Sequence, residues 1–103
     1  VSGRDKERAK AAANPERDMP DRAPDAAALG RAVQAIRAER GISQMQLAEA
    51  TGFMQSWISN VEHGRRNVSW SNVGRLAKGL SVSVSELAAR AEALAGDPPD
   101  ASA

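Results

Sequence analysis

The sequence predicts an all-α domain of five short helices over residues 25–95, with polar tails at 1–24 and 96–103. Three observations lead there. Apolar residues recur at three- and four-residue spacing in five successive segments, the period of a helix with one buried face. Asp or Ser precedes four of these segments and Gly follows four, the residue types that close helix ends. No stretch alternates apolar and polar residues for long enough to make a useful strand.

The elements follow in order. "DAAALGRAVQAIRAER" starts after Pro24 with Asp25 as its cap, aligns Leu29, Val33 and Ile36 on one stripe, and stops at Gly41. "SQMQLAEAT" opens with Ser43 and Gln46 at the spacing of a capping box and stops at Gly52. "MQSWISNVEH" turns Trp57, Ile58 and Val61 to one side and ends at Gly64. "SWSNVGRLAKGL" is capped by Ser69, with Val73, Leu76, Ala77 and Leu80 facing inward and Trp70 expected in the core. Its Gly74 and Gly79 each lower helix propensity by about 1 kcal/mol relative to Ala and could permit close helix contacts. "SVSELAARAEALA" carries a second capping-box pair, Ser83 and Glu86, and is followed by Gly96. The second and third helices are joined only by the Thr51–Phe53 region, "TGF". So short a link containing glycine is the sequence mark of a helix-turn-helix, in which two short helices cross steeply.

Composition narrows the chemistry. The 103 residues include no cysteine, which rules out disulfides and thiolate metal sites and fits a reducing compartment. No segment approaches membrane-spanning length and no apolar leader is present, so a soluble cytoplasmic protein without membrane contact is expected. The net charge of +1 divides unevenly: zero over 1–25, +3 over 26–95 and −2 over 96–103. The helical part is therefore mildly basic, as a partner of a polyanion would be. The leader, residues 1–24, mixes both charge signs with three prolines and few bulky apolar residues. Such a composition buries too little to offset its ordering entropy, and the leader and the 96–103 tail are read as disordered.

The third helix poses the functional question. Opposite its apolar stripe stand Gln55, Ser56, Ser59 and Asn60, short and uncharged, where a solvated face is usually rich in Lys and Glu. An α-helix fits the major groove of DNA, and amides and hydroxyls are the groups that bond base edges there. Arg65 and Arg66 follow at once and can hold phosphate oxygens, fixing the helix in register.

Residues 29–88 resemble the phage-repressor and Cro-type helix-turn-helix family, also called the xenobiotic-response-element family. The stretches that carry the resemblance are "LGRAVQAIRAERGISQMQLAEATG", "ISNVEHGRRNVSW" and "RLAKGLSVSVSEL". It implies a compact repressor-type domain that binds double-stranded DNA and regulates transcription. It also implies particular roles. Gln44 touches a phosphate and braces the recognition helix. Gln55 and Ser56 meet base edges first, and Ser59 and Asn60 continue that face one turn on. Arg65, Arg66 and Asn67 grip the backbone, while Arg37 and Glu62 tie the first helix to the end of the third. Two positions depart from the family pattern. Met54 stands where a capping Ser or Thr is usual, and an apolar side chain caps poorly. Trp57 replaces a more usual Ser or Thr; it packs inward or lies beside a thymine methyl or the sugar backbone, with packing the expected use.

The resemblance further implies symmetric dimers on near-palindromic sites, with half-sites about 10 base pairs apart. Among the apolar residues of the last helix and the turn before it, Leu80 and Leu87 are assigned to the monomer core. Val84, Ala91 and Leu94 are assigned to the dimer interface. The competing reading is a protein-interaction module or antitoxin of the same fold, acting through a protein partner. No cofactor or metal is expected, since no metal-ligand spacing exists. His63, the lone histidine, stands beside a helix-ending glycine, where a His favours the helix dipole, so an enzyme is not expected.

Overall fold

The computed structural model describes residues 24–95, which form five helices and no strand. These are α1 (Ala26–Glu39), α2 (Gln44–Thr51), α3 (Gln55–Glu62), α4 (Trp70–Gly79) and α5 (Val84–Ala95). The expectations for the leader and the C-terminal tail fall on residues 1–23 and 96–103, outside the described residues.

The helix starts form as the sequence dictates. Asp25 Oδ1 accepts the Ala28 N–H at 2.9 Å and so satisfies one of the unpaired donors at the start of α1. The Ser43–Gln46 capping box closes in both directions, Gln46 N–H to Ser43 Oγ at 3.0 Å and Ser43 N–H to Gln46 Oε1 at 2.8 Å. Ser83 and Glu86 repeat the arrangement ahead of α5, at 3.0 and 3.3 Å. Ser69 Oγ accepts the Asn72 N–H at 3.3 Å, a longer cap for α4. Only α3 lacks a side-chain cap. Met54 occupies that position, and its carbonyl alone receives the Trp57 and Ile58 N–H groups.

The caps aim each apolar stripe at one centre. Val33 and Ile36 from α1, Leu47 from α2, Ile58 and Val61 from α3, Leu76 and Leu80 from α4 and Leu87 from α5 form the buried core. Helix α1 packs on both α3 and α5, α2 lies against α3 and α4, and α4 closes onto α5. The α1–α3 contact is so close that a Cβ on Gly30 would lie 2.2 Å from the Val61 carbonyl oxygen. Only glycine admits that approach. Gly52 supplies the turn between α2 and α3 at φ +80, a left-handed conformation that ends α2 without steric cost.

Three expectations change in the folded chain. Trp70 is 76% exposed rather than in the core. The first turn of α4 overhangs an open apolar groove, whereas Leu76, Ala77 and Leu80 already fill the space beneath the rest of the helix. Ala91, expected at a dimer interface, is 3% exposed and belongs to the monomer core, because α5 turns that face onto α1. Of the two glycines in α4, Gly79 does allow a close contact, with a Cβ there lying 2.5 Å from Thr51 Cγ2. Gly74 faces open space.

Candidate nucleic-acid interface

The candidate interface begins with how α3 is held. The Glu62 carboxylate, at its last residue, is nearly excluded from solvent and gathers three donors. Arg37 approaches it with two nitrogens, Nε to Oε2 at 2.7 Å and Nη2 to Oε1 at 3.1 Å. Gln44 Nε2 donates to Oε1 at 2.9 Å. The remaining guanidinium arm, Arg37 Nη1, donates to the Ile42 carbonyl at 3.0 Å in the loop between α1 and α2. One buried carboxylate thus links α1, α2 and α3. The Glu62 hydrogen bond raises the Arg37 pKa above its ordinary value, against an opposing effect of burial. The expected Arg37–Glu62 tie is present, and Gln44 braces the end of α3 through the same carboxylate.

A second device, absent from the sequence reading, fixes the beginning of α3. Phe53 and Trp57 stack with ring centroids 4.2 Å apart and planes tilted by 34°. The Arg75 guanidinium lies over the Phe53 ring, 4.1 Å from its centroid, and its Nη2 donates to the Thr51 carbonyl. That carbonyl is among those left unpaired at the end of α2. Arg75 therefore couples α4 to the turn through both a hydrogen bond and a cation–π contact. Its separation of more than twenty residues from the turn left no local signal to find it. Trp57 is half-buried in this stack and packs against the core, the expected use.

With both ends fixed, the outward residues have defined places. Gln55 and Ser56 are exposed at the leading end of α3, beside exposed Met54. Ser59 and Asn60, four residues on from each, are partly covered on the same face. Arg65, Arg66 and Asn67 are exposed in the loop that follows, where the Arg65 N–H donates to the Asn60 carbonyl at 2.9 Å. His63 closes α3, its Nδ1 lying 2.7 Å from the Ser59 carbonyl, and so is occupied with its own helix end. The polar face thus offers unpaired amide and hydroxyl groups, flanked by two guanidinium groups.

Away from that face lies the apolar groove, of about 370 Å³, whose lining includes Leu29, Val68, Trp70, Val73, Leu87 and Ala88. Ala91 forms part of its lining while remaining almost wholly buried, and Asn67 stands at the same groove. Val84 and Leu94 are partly buried against the core. Arg31 donates to the Leu94 carbonyl at 2.6 Å, tying the end of α5 to α1. Among the described residues no group of three His, Asp or Glu side chains could hold a metal ion. No helix among them is long and apolar enough to cross a membrane.

Comparison with known proteins gives this arrangement its context. Residues 28–90, more than half of the chain, match the helix-turn-helix domain family. The immunity repressor protein of Bacillus phage phi105 is 36% identical over 59 residues, which are 57% of this chain and 41% of the repressor. The chain thus spans less than half the length of that relative. The restriction-modification controller protein C.AhdI from Aeromonas hydrophila superposes with a TM-score of 0.58 at 35% identity, covering 60% of this chain and 94% of C.AhdI. A related controller protein, C.Esp1396I, solved as a tetramer in complex with its natural 35 base-pair operator, superposes with a TM-score of 0.58 at 26% identity. That match covers 64% of this chain and 92% of C.Esp1396I.

Proposed function

Because the chain belongs to the helix-turn-helix domain family, we propose that it is a sequence-specific DNA-binding transcriptional regulator, acting as a repressor. It binds a near-palindromic operator as a homodimer, with α3 in the major groove. The observation that carries this reading is the leading face of α3. There Gln55 and Ser56 stand free in solvent, while the helix behind them is anchored at one end by Glu62 and at the other by Arg75. A reading head needs side chains that are unpaired before DNA arrives and a support that does not yield when it does.

Gln55, Ser56, Ser59 and Asn60 contact base edges, Gln55 through both amide atoms to an adenine. Arg65, Arg66 and Asn67 contact phosphates, as does Gln44, whose amide also braces Glu62. The dimer forms through α5 and the groove beside it, with Val84 and Leu94 contributing side chains. The operator-bound tetramer of C.Esp1396I supports both DNA binding and self-association. A regulator of this kind works where the DNA is, in the cytoplasm or nucleoid.

The test is selection of bound duplexes from a random library at near-physiological salt. Enrichment of a near-palindrome with half-sites about 10 base pairs apart is expected. Gln55→Ala then relaxes preference at one position, at a cost of about 1–3 kcal/mol. Arg65→Ala weakens binding to all sequences alike and lowers the salt dependence. DNA binding unchanged in both variants would refute the assignment of this face. A second reading, a module or antitoxin acting through a protein partner, is favoured by one observation, the exposed Trp70 beside the apolar groove. A module acting through a protein partner alone predicts no enriched sequence, whereas an antitoxin would bind both DNA and its partner.

A further inference from the structure

The apolar residues around the start of α3 are disposed in opposite ways. Phe53 and Trp57 turn inward and stack under Arg75, whereas Met54 between them is 74% exposed. Its side chain neither packs on the core nor caps the helix, and a Ser or Thr in its place would do the second. Met54 forms, with Gln55 and Ser56, a run of three exposed residues at the leading tip of α3: an apolar thioether, an amide and a hydroxyl.

In the major groove nearly everything a base edge shows is a donor or an acceptor. The apolar exception is the C5-methyl of thymine. We infer that Met54 reads that methyl, so that the tip of α3 recognises an A·T pair by apolar contact in addition to the hydrogen bonds made by its neighbours. The inference rests on the proposed placement of α3 in the groove and extends it to a residue whose chemistry is apolar. Three features suit Met54 to the task. Its unbranched, polarizable side chain adapts to an irregular surface. Its backbone is fixed, because its carbonyl accepts the Trp57 and Ile58 N–H groups at 3.0 and 3.1 Å. Trp57, the apolar residue in the first turn of α3 that could meet a thymine, is already held by Phe53.

The experiment uses the whole chain and the operator duplex enriched from the random library. Each half-site thymine is replaced in turn by deoxyuridine, which lacks only the methyl. At one position per half-site, loss of the methyl weakens binding by the wild-type protein about fourfold, the worth of one buried methyl group. Met54→Ala binds the thymine and deoxyuridine duplexes equally at that position and melts at the wild-type temperature. Gln55→Ala retains the methyl preference there. Three results would overturn the inference while leaving operator binding intact: no methyl dependence anywhere in the half-site, a preference that survives in Met54→Ala, or an equal loss on both duplexes, which marks a sugar–phosphate contact. Failure to enrich any operator would overturn the placement of α3 itself, and this inference with it.

Discussion

Removing the Glu62 carboxylate tests the anchoring of α3 most directly. Glu62→Ala leaves the Arg37 guanidinium facing a cavity with only the Ile42 carbonyl as partner, and leaves the Gln44 amide without its acceptor. Breaking a buried ion pair from one side costs about 3–5 kcal/mol, because the remaining charge is stranded. The Arg37 side chain keeps 17% of its exposure and one carbonyl partner, so water can partly reach it. The lower end, about 3 kcal/mol, is therefore expected. For a domain of this size that lowers the melting temperature by about 12–24 °C. Replacing both partners, Arg37→Met with Glu62→Leu, removes the stranded charge and is expected to recover most of the loss, since apolar replacement of a buried pair is often neutral. Chemical denaturation of the wild type, both single variants and the double variant at neutral pH completes the cycle. A cost below about 1 kcal/mol for Glu62→Ala would show that the carboxylate is not the anchor described. So would a double variant as unstable as the sum of the singles.

Two further predictions concern the contacts of α1. Gly30→Ala forces a Cβ to within 2.2 Å of the Val61 carbonyl oxygen and 2.8 Å of the Glu62 carbonyl oxygen, so α1 and α3 must separate. Overpacking costs about 1–3 kcal/mol, and backbone meeting backbone places this change at the upper end; wild-type stability by thermal denaturation would refute the close approach. On the opposite side, Arg90 hydrogen-bonds Glu39 through two nitrogens and, chiefly by that bond, lowers the carboxyl pKa. A depressed carboxyl pKa stabilises the fold at pH values above the unfolded value, and that contribution disappears as pH falls through the folded value. Glu39→Gln should thus be less stable than wild type at neutral pH and low salt, with the difference vanishing in acid and shrinking in high salt. A difference that persists in acid would point to a packing role instead.

Much of the fold could be read because its signals are local. Asp25, Ser43, Ser69 and Ser83 close their helices with donors three residues away, a distance the sequence itself sets. The Arg37–Glu62 tie was reached through resemblance, since nothing in spacing alone brings positions 25 apart together. Arg75 was not found, because its partners at the α2–α3 turn become neighbours only when α4 packs against α2. Trp70 and Ala91 were misplaced for the same reason in reverse. Both lie on helical stripes that read as continuous, and whether a position on a stripe is covered depends on where the neighbouring helix runs.

The sequence by itself therefore determined five helices, their caps, the short glycine turn between α2 and α3, and the uncharged face of α3. Each follows from periodicity, from side-chain bonds to the nearest backbone, or from a single glycine's φ, all of which act within one turn of chain. The tertiary structure decided which side chains that face can offer. Glu62 draws Arg37 and Gln44 inward, Phe53 takes Trp57, and Arg75 holds the turn, leaving Met54, Gln55 and Ser56 outermost. The physical reason is that exposure belongs to the packing of several helices at once, and no single segment specifies what its neighbours will cover.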